Sequence, residues 1–172
     1  MEQLAEKEIR ASFVNCSKGE AGRINLPRSL PETPWDELDF LGWRDPGAPD
    51  RSYLVTGYQG VLTGITLRVP TGIRRSLTRT NICSFCATSH AGSGVALLTA
   101  RKSGPAGRQG NSVGAYVCAD LACSLYVRGR KKSQLIERYV ENLTVEEQVE
   151  RMVANVGLFL DRVHLQGEGE GY

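Results

Sequence analysis

No stretch of this chain approaches the roughly 20 consecutive apolar residues that a membrane-spanning helix needs. The charged opening MEQLAEKEIR also lacks the apolar core of a secretory signal. No membrane association and a cytoplasmic location are therefore expected. Internal repeats and low-complexity tracts are absent. Histidine is scarce, with only His90 and His164, so a nucleophilic cysteine would have few bases to activate it. Acidic residues are nearly missing from the middle of the chain. Residues 68–132 hold eleven Lys and Arg against one acid, Asp120, whereas residues 1–67 hold seven bases and ten acids and residues 133–172 hold three and eight. The formal net charge of +2 thus conceals a segment of +10, suited to phosphates or to an acidic protein surface.

What is present describes a globular protein of 172 residues, 41% hydrophobic and 23% charged. Residues 2–15 read as a helix with Leu4, Ile9, Phe13 and Val14 on a loose apolar side. TPWDELDFLGW reads as a second short helix, with Thr33 as cap and Pro34 at its first position. RSYLVTGYQGVLTGITLRVP has the β-branched and aromatic content of a hairpin turning at GYQG. Trp35, Phe40 and Trp43 should pack against it. VALLTA and SVGAYVC are strand-like and flank the polar, glycine-rich RKSGPAGRQGN, while DLACSLYVRG looks like a short helix ended by Gly129. Thr144 and Glu147 match a capping box opening a helix to about Leu165. Val145, Val149, Met152, Val153, Val156, Phe159, Leu160 and Val163 give that helix a buried face. The tail QGEGEGY is expected to be disordered.

Four of the five cysteines fall in two close pairs, Cys83-x₂-Cys86 and Cys118-x₄-Cys123, 31 residues apart. In a reducing compartment such pairs are metal ligands more often than disulfides. Each pair can occupy two adjacent vertices of a tetrahedral Zn²⁺ site. A turn-borne pair, a hairpin and then a pair at a helix start is the order of a treble-clef finger. A redox-active pair would instead call for a βαβ setting, which the pattern lacks. His90 could replace one thiolate, but four cysteines already complete the shell. Cys16, beside a glycine-rich stretch, reads as a small buried residue.

NICSFC…YVCADLACSLYVRG, together with IRASFVNCSKGEA and LDFLGWRDP, resembles the elongation factor G-binding protein family over roughly residues 1 to 165. The likeness is to its C-terminal treble-clef zinc-finger domain, typified by the FusB-type fusidic acid resistance proteins. The resemblance implies an α+β fold: a small helix and β-hairpin lobe (1–80) joined to a treble-clef finger with a long C-terminal helix (81–165), then the tail (166–172). It implies Zn²⁺ on Cys83, Cys86, Cys118 and Cys123, and elongation factor G as partner at or near the ribosome. In the resistance proteins that binding promotes release of the factor from stalled ribosomes. Those proteins carry a helical bundle ahead of this domain, for which 172 residues leave no room. Fusidic acid resistance and a constitutive role at the ribosome therefore both stay open.

Phe85, inside the first pair, matches a partner-contacting aromatic position of the family. Its ring either packs on the finger's own hairpin or projects as an anchor flanked by Arg101, Lys102 and Arg108. Arg128, Arg130, Lys131 and Lys132 form a second candidate surface. A four-thiolate site leaves no position for a catalytic water, so the metal reads as structural and the protein as a non-enzymatic binding module; a monomer is expected. RNA binding through the same basic segment is the alternative, with Phe85, Tyr116 and Tyr126 as the few aromatics available for stacking.

Overall fold

The structure is a computed structural model that describes residues 1–72, 80–135 and 141–165. The chain begins with two short helices, α1 (Glu6–Ala11) and α2 (Lys18–Gly22). The helix expected over residues 2–15 is shorter because Phe13 leaves it for a parallel bridge to Gly64. Val14 N–H donates to Gly64 O at 2.9 Å, and Gly64 N–H donates to Ser12 O at 2.9 Å. A Cβ at position 64 would lie 2.4 Å from Ser12 Oγ, so a larger residue there would displace that hydroxyl from its bond to Ile9 O. The second expected helix contracts to a single 3₁₀ turn, Trp35–Glu37, and its end becomes strand β1 (Leu41–Arg44). Leu41 and Trp43 point inward at a period of two, and the strand pairs with the hairpin that follows.

That hairpin is β2 (Arg51–Tyr58) and β3 (Val61–Arg68). Gln59 and Gly60 both have positive φ, 49° and 78°, as a two-residue turn matching strand twist requires. β4 (Thr80–Ile82) and β5 (Ser89–Ala91) form a small ribbon around the first cysteine pair. β6 (Val95–Arg101) and β7 (Ser112–Cys118) complete a five-stranded antiparallel sheet in the order β1-β2-β3-β6-β7. The sheet runs across the boundary expected at residue 80, with Arg68 of β3 opposite Thr99 of β6. The loop between β6 and β7 contains a short helix, α3 (Gly104–Arg108). α4 (Cys123–Val127) follows the second cysteine pair, and Gly129 after it has φ of 67°.

Helix α5 (Val145–His164) opens with the expected capping box. Glu147 N–H donates to Thr144 Oγ1 at 3.2 Å, and Thr144 N–H to Glu147 Oε2 at 2.8 Å. Met152, Val156, Phe159, Leu160 and Val163 are buried, whereas Val145 and Val153 lie on the solvent side. The tail expected to be disordered lies outside the described residues. No helix among those described is long and apolar enough to cross a membrane.

Two apolar clusters cover opposite faces of the sheet. Leu54, Ile65, Leu67, Leu98 and Val117 face α5 and the cysteine turns, and Phe40 joins them. Tyr53 and Val55 face Ile9, Trp35, Leu41 and Trp43. Alternation along β2 thus feeds both clusters, so the strand reads as an unbroken apolar run. The tryptophans pack on the hairpin as expected, with the Trp43 and Tyr53 ring centroids 5.1 Å apart.

Candidate metal centre

The first cysteine pair sits in a turn whose path is set by backbone bonds. Cys83 N–H donates to Thr88 O at 3.0 Å and Ala87 N–H to Cys83 O at 2.9 Å, with Ala87 at φ 59°. The second pair is held by another such turn. Leu121, at φ 54°, donates its N–H to Cys118 O at 2.9 Å, and Ala122 N–H donates to Asp120 Oδ1 at 3.1 Å. Cys123 is then the first residue of α4. Strand β1 rests directly on this turn: a Cβ at Gly42 would lie 2.5 Å from Leu121 Cβ.

The two turns bring all four Sγ atoms within 4.8 Å of one another, and every one of these cysteines is at most 1% exposed. Cys83 and Cys123 Sγ are 3.7 Å apart, and Cys86 and Cys118 Sγ 3.6 Å. A tetrahedron with Zn–S bonds of about 2.3 Å has edges of about 3.8 Å, so the four sulfurs fit that ion. All five cysteines are free thiols rather than disulfide partners.

Electrostatics favour a cation here. Hydrogen bonds from Cys118, then Cys123 and Cys86, pull the Cys83 thiol far below its ordinary value. The N–H groups of Phe85, Cys86 and Cys118 point at the same sulfur from 3.4, 3.5 and 3.3 Å. Cys123 is pushed far up by its hydrogen bonds to Cys118, Cys83 and Cys86 and by burial. One thiolate thus opposes ionisation of its neighbours, and a dication resolves that conflict by holding all four as thiolates.

His90 is outside the ligand set. Its Nε2 lies 3.3 Å from Cys118 Sγ, and its ring stands edge-on to Tyr126. Burial lowers its pKa, so a neutral imidazole can donate one N–H to the Cys118 sulfur. α5 contributes support that the sequence did not reveal. Arg151 Nη2 donates to Cys86 O at 3.4 Å and Asn155 Nδ2 to Phe85 O at 3.0 Å, tying the turn to the helix. Arg151 is in turn held bidentate by Glu141 at 2.7 and 2.9 Å.

The reading of Phe85 as a projecting anchor is corrected by its burial. The ring is 2% exposed and meets Phe159 and Phe40 edge-on at 5.6 and 6.4 Å. The cysteine turn directs the ring into the apolar cluster beneath the sheet.

The basic candidates separate into two kinds. Arg101 and Arg108 are exposed and Lys102 half-buried, and their side chains have no ion-pair partner among the described residues. The second cluster is largely engaged within the molecule. Arg128 binds Asp39 bidentately at 2.6 and 3.0 Å, Arg130 pairs with Glu37 at 3.1 Å, and Lys131 with Asp120 at 2.7 Å. Lys132 is exposed. Arg74, Arg75 and Arg79 lie outside the described residues.

Cys16 is half-buried, and its thiol is pushed up by burial and by Glu20, which opposes a nucleophilic role. An exposed residue missed as a site candidate in its own right is Tyr116, 53% exposed on the outer face of the β6–β7 hairpin. Its carbonyl accepts from Ser84 N–H at 2.7 Å, which places it against the first cysteine turn. Ile82, leading into that turn, is 62% exposed. Alternation along β7, with Val113 and Val117 buried, was the available signal for an outward Tyr116.

No curated protein matches this chain. The structure of the fusidic acid resistance protein FusC superposes on it with a TM-score of 0.53 and 16% identity, over 72% of this chain and 52% of that one. That likeness is one of fold, and the chain spans about half the length of that protein. The profile of the FBP C-terminal treble-clef zinc-finger family matches residues 8–163, nearly the whole chain, and includes all four clustered cysteines. Zn²⁺ is therefore the cofactor of this centre, and the chain belongs to the FBP C-terminal treble-clef zinc-finger family.

Proposed function

We propose that this protein is a monomeric, non-enzymatic module that binds translation elongation factor G at or near the ribosome, and that its binding promotes release of the factor. The observation that carries the reading is the outer face of the β6–β7 hairpin. There an exposed Tyr116 stands on a strand bonded to the first cysteine turn, at a hairpin that ends in Arg101 and Lys102, which have no ion-pair partner among the described residues. An aromatic anchor bordered by charge is a common composition for a binding hot spot. Leu97 faces Tyr116 across the strands and widens the apolar patch. Membership of the family and a neighbour that is a fusidic acid resistance protein support the choice of partner.

Four buried thiolates leave the metal no open position, so its role here is to hold the turns in place. Cys118 ends the strand that presents Tyr116, and the Cys83–Cys86 turn is bonded to that strand through Ser84 N–H and Tyr116 O, so the metal fixes the open end of the hairpin. Arg151 and Asn155 fix the first turn from behind. The unpaired cations accelerate encounter with an acidic surface, and the apolar patch sets the lifetime of the complex.

The test is capture from a bacterial lysate on the immobilised protein, with and without nuclease. Elongation factor G retained after nuclease treatment is the expected result. Its loss on nuclease treatment, with a steep salt dependence of binding, would favour the RNA reading instead.

A further inference from the structure

On the lobe away from the metal, a cavity of about 310 Å³ opens between α2 and the ends of β2 and β3. Arg23, Arg51 and Arg68 line it, together with Asn25, Thr66 and Cys16. Arg51 and Arg68 sit directly opposite each other in the β2–β3 register. Like charges so placed destabilise a sheet. All three arginines are exposed, and none has a side-chain hydrogen bond or ion pair among the described residues.

Two carboxylates also line the cavity, and both are already occupied. Asp45 accepts from Tyr53 Oη at 2.8 Å, Asn25 Nδ2 at 3.0 Å and Gly47 N–H at 2.8 Å. Glu20 accepts from Ser17 N–H at 2.8 Å in the α2 capping box. Neither forms an ion pair with the arginines. Arg51 and Arg68 both act electrostatically on the Tyr53 hydroxyl, and Arg23, with Arg101 from the end of β6, acts on Glu20. The floor is rigid, because Trp43 Nε1 fixes Asn25 O at 2.9 Å and Asn15 Oδ1 fixes Thr66 N–H at 2.8 Å.

We propose that this cavity binds the phosphate group of a small phosphorylated molecule, clamped between the facing guanidiniums of Arg51 and Arg68 with Arg23 closing from α2. Guanidinium forks match phosphate oxygens, and such a ligand would relieve the repulsion between the paired strands. The volume is that of a small-ligand pocket, at the lower end of the usual range. The site is distinct from the metal centre, its lining residues are not those of the face proposed for elongation factor G, and it stands whether or not that factor is bound.

Inorganic phosphate, titrated into the zinc-loaded protein at ionic strength matched with chloride, is the probe. Arginine Nε–H signals in NMR spectra are the readout. The Arg51 and Arg68 signals should shift saturably. Arg51→Gln and Arg68→Gln should each weaken phosphate binding at least about tenfold, while Arg162→Gln, at the exposed end of α5, should leave it unchanged. Both cavity variants should melt no lower than the wild type, because one of two facing like charges has gone. A shift that never saturates, or equal affinity in all three variants, would overturn the proposal. So would a lower melting temperature in the cavity variants with phosphate affinity unchanged, which would make the arginines structural partners of Asp45. A short oligouridylate that moves these signals when phosphate does not would assign the site to an RNA backbone and likewise overturn it.

Discussion

The two faces of the sheet are held by different means. Beneath β3, β6 and β7, the apolar cluster of Phe85, Leu98, Met152 and Phe159 closes over the four sulfurs of the metal centre, which join its two cysteine turns. On the opposite face, Trp35, Trp43, Tyr53 and Ile9 pack on one another with no part taken by the four cysteines. A single strand, β2, supplies Leu54 to the first cluster and Tyr53 and Val55 to the second. The metal-dependent half is therefore not a detachable appendage, and its loss uncovers one side of the hairpin that the tryptophans cover on the other.

Removing the metal is the severest way to probe this. Ligation contributes on the order of 10 kcal/mol to the folding of small zinc domains, so Cys118→Ser should abolish the finger. Both tryptophans lie in the cluster without the cysteines, so their fluorescence reports on that half alone. A thiolate-to-Co²⁺ absorption band in cobalt-substituted protein reports on the other. The shared strand predicts that chelator lowers both signals in one transition. Retention of native tryptophan emission after the cobalt band has gone would show the two halves to be independent.

Next in size is the ring at the centre of the metal-side cluster. Phe85→Ala or Phe159→Ala should cost about 3–5 kcal/mol in denaturant melts, since both rings are nearly fully buried. A cost below about 1 kcal/mol for Phe85 would return that ring to the surface.

The halves are also joined by Asp39 and Arg128, whose carboxylate and guanidinium are mostly buried. Arg128→Ala should cost about 2 kcal/mol, because a charged acceptor loses two donors. Arg108→Ala, at an exposed and unpaired site, should change stability by less than about 0.5 kcal/mol. Equal effects would remove the distinction drawn between the two basic clusters.

A smaller effect than that at Arg128 is expected in the tryptophan-bearing half. Burial, and then the bond to Asp45, push Tyr53 up to about 12, against an ordinary value near 10. The folded state thus retains the phenol proton more tightly. That contribution is complete below pH of about 10 and is lost as pH rises through about 12. Asp45 behaves oppositely: burial raises it, but bonds from Asn25, Tyr53 and Gly47 outweigh that and hold it low. Its contribution is present above about pH 3.9 and lost as pH falls through its folded value. Tyr53→Phe should cost about 1 kcal/mol at neutral pH and flatten the alkaline limb of stability against pH. An unchanged alkaline limb would remove Tyr53 as its source.

What could be read before the structure was local. The spacing of the cysteine pairs, the β2–β3 turn and the Thr144 capping box each depend on residues a few positions apart, and each stands where it was expected. The segment around Trp35–Arg44 was misread because its apolar spacing suits both periods, and pairing with β2 decides between them. Phe85 was ambiguous for a different reason. The turn fixes the backbone, but the direction of the ring depends on α5, more than 60 residues later. The bond between Arg128 and Asp39 spans 89 residues and leaves no mark on either neighbourhood. A run of basic residues consequently looked like one surface, when three of its four members are paired within the molecule.

The most direct test of the proposed role is calorimetric titration of purified elongation factor G into zinc-loaded wild-type protein and into Tyr116→Ala. The exposed ring should contribute about 2 kcal/mol, so Kd should rise about thirtyfold in the variant, with one zinc per chain and an unchanged melting temperature in both. Equal affinity for wild type and variant, both fully loaded and folded, would contradict the assignment of this face, and no binding by the wild type would contradict the function itself.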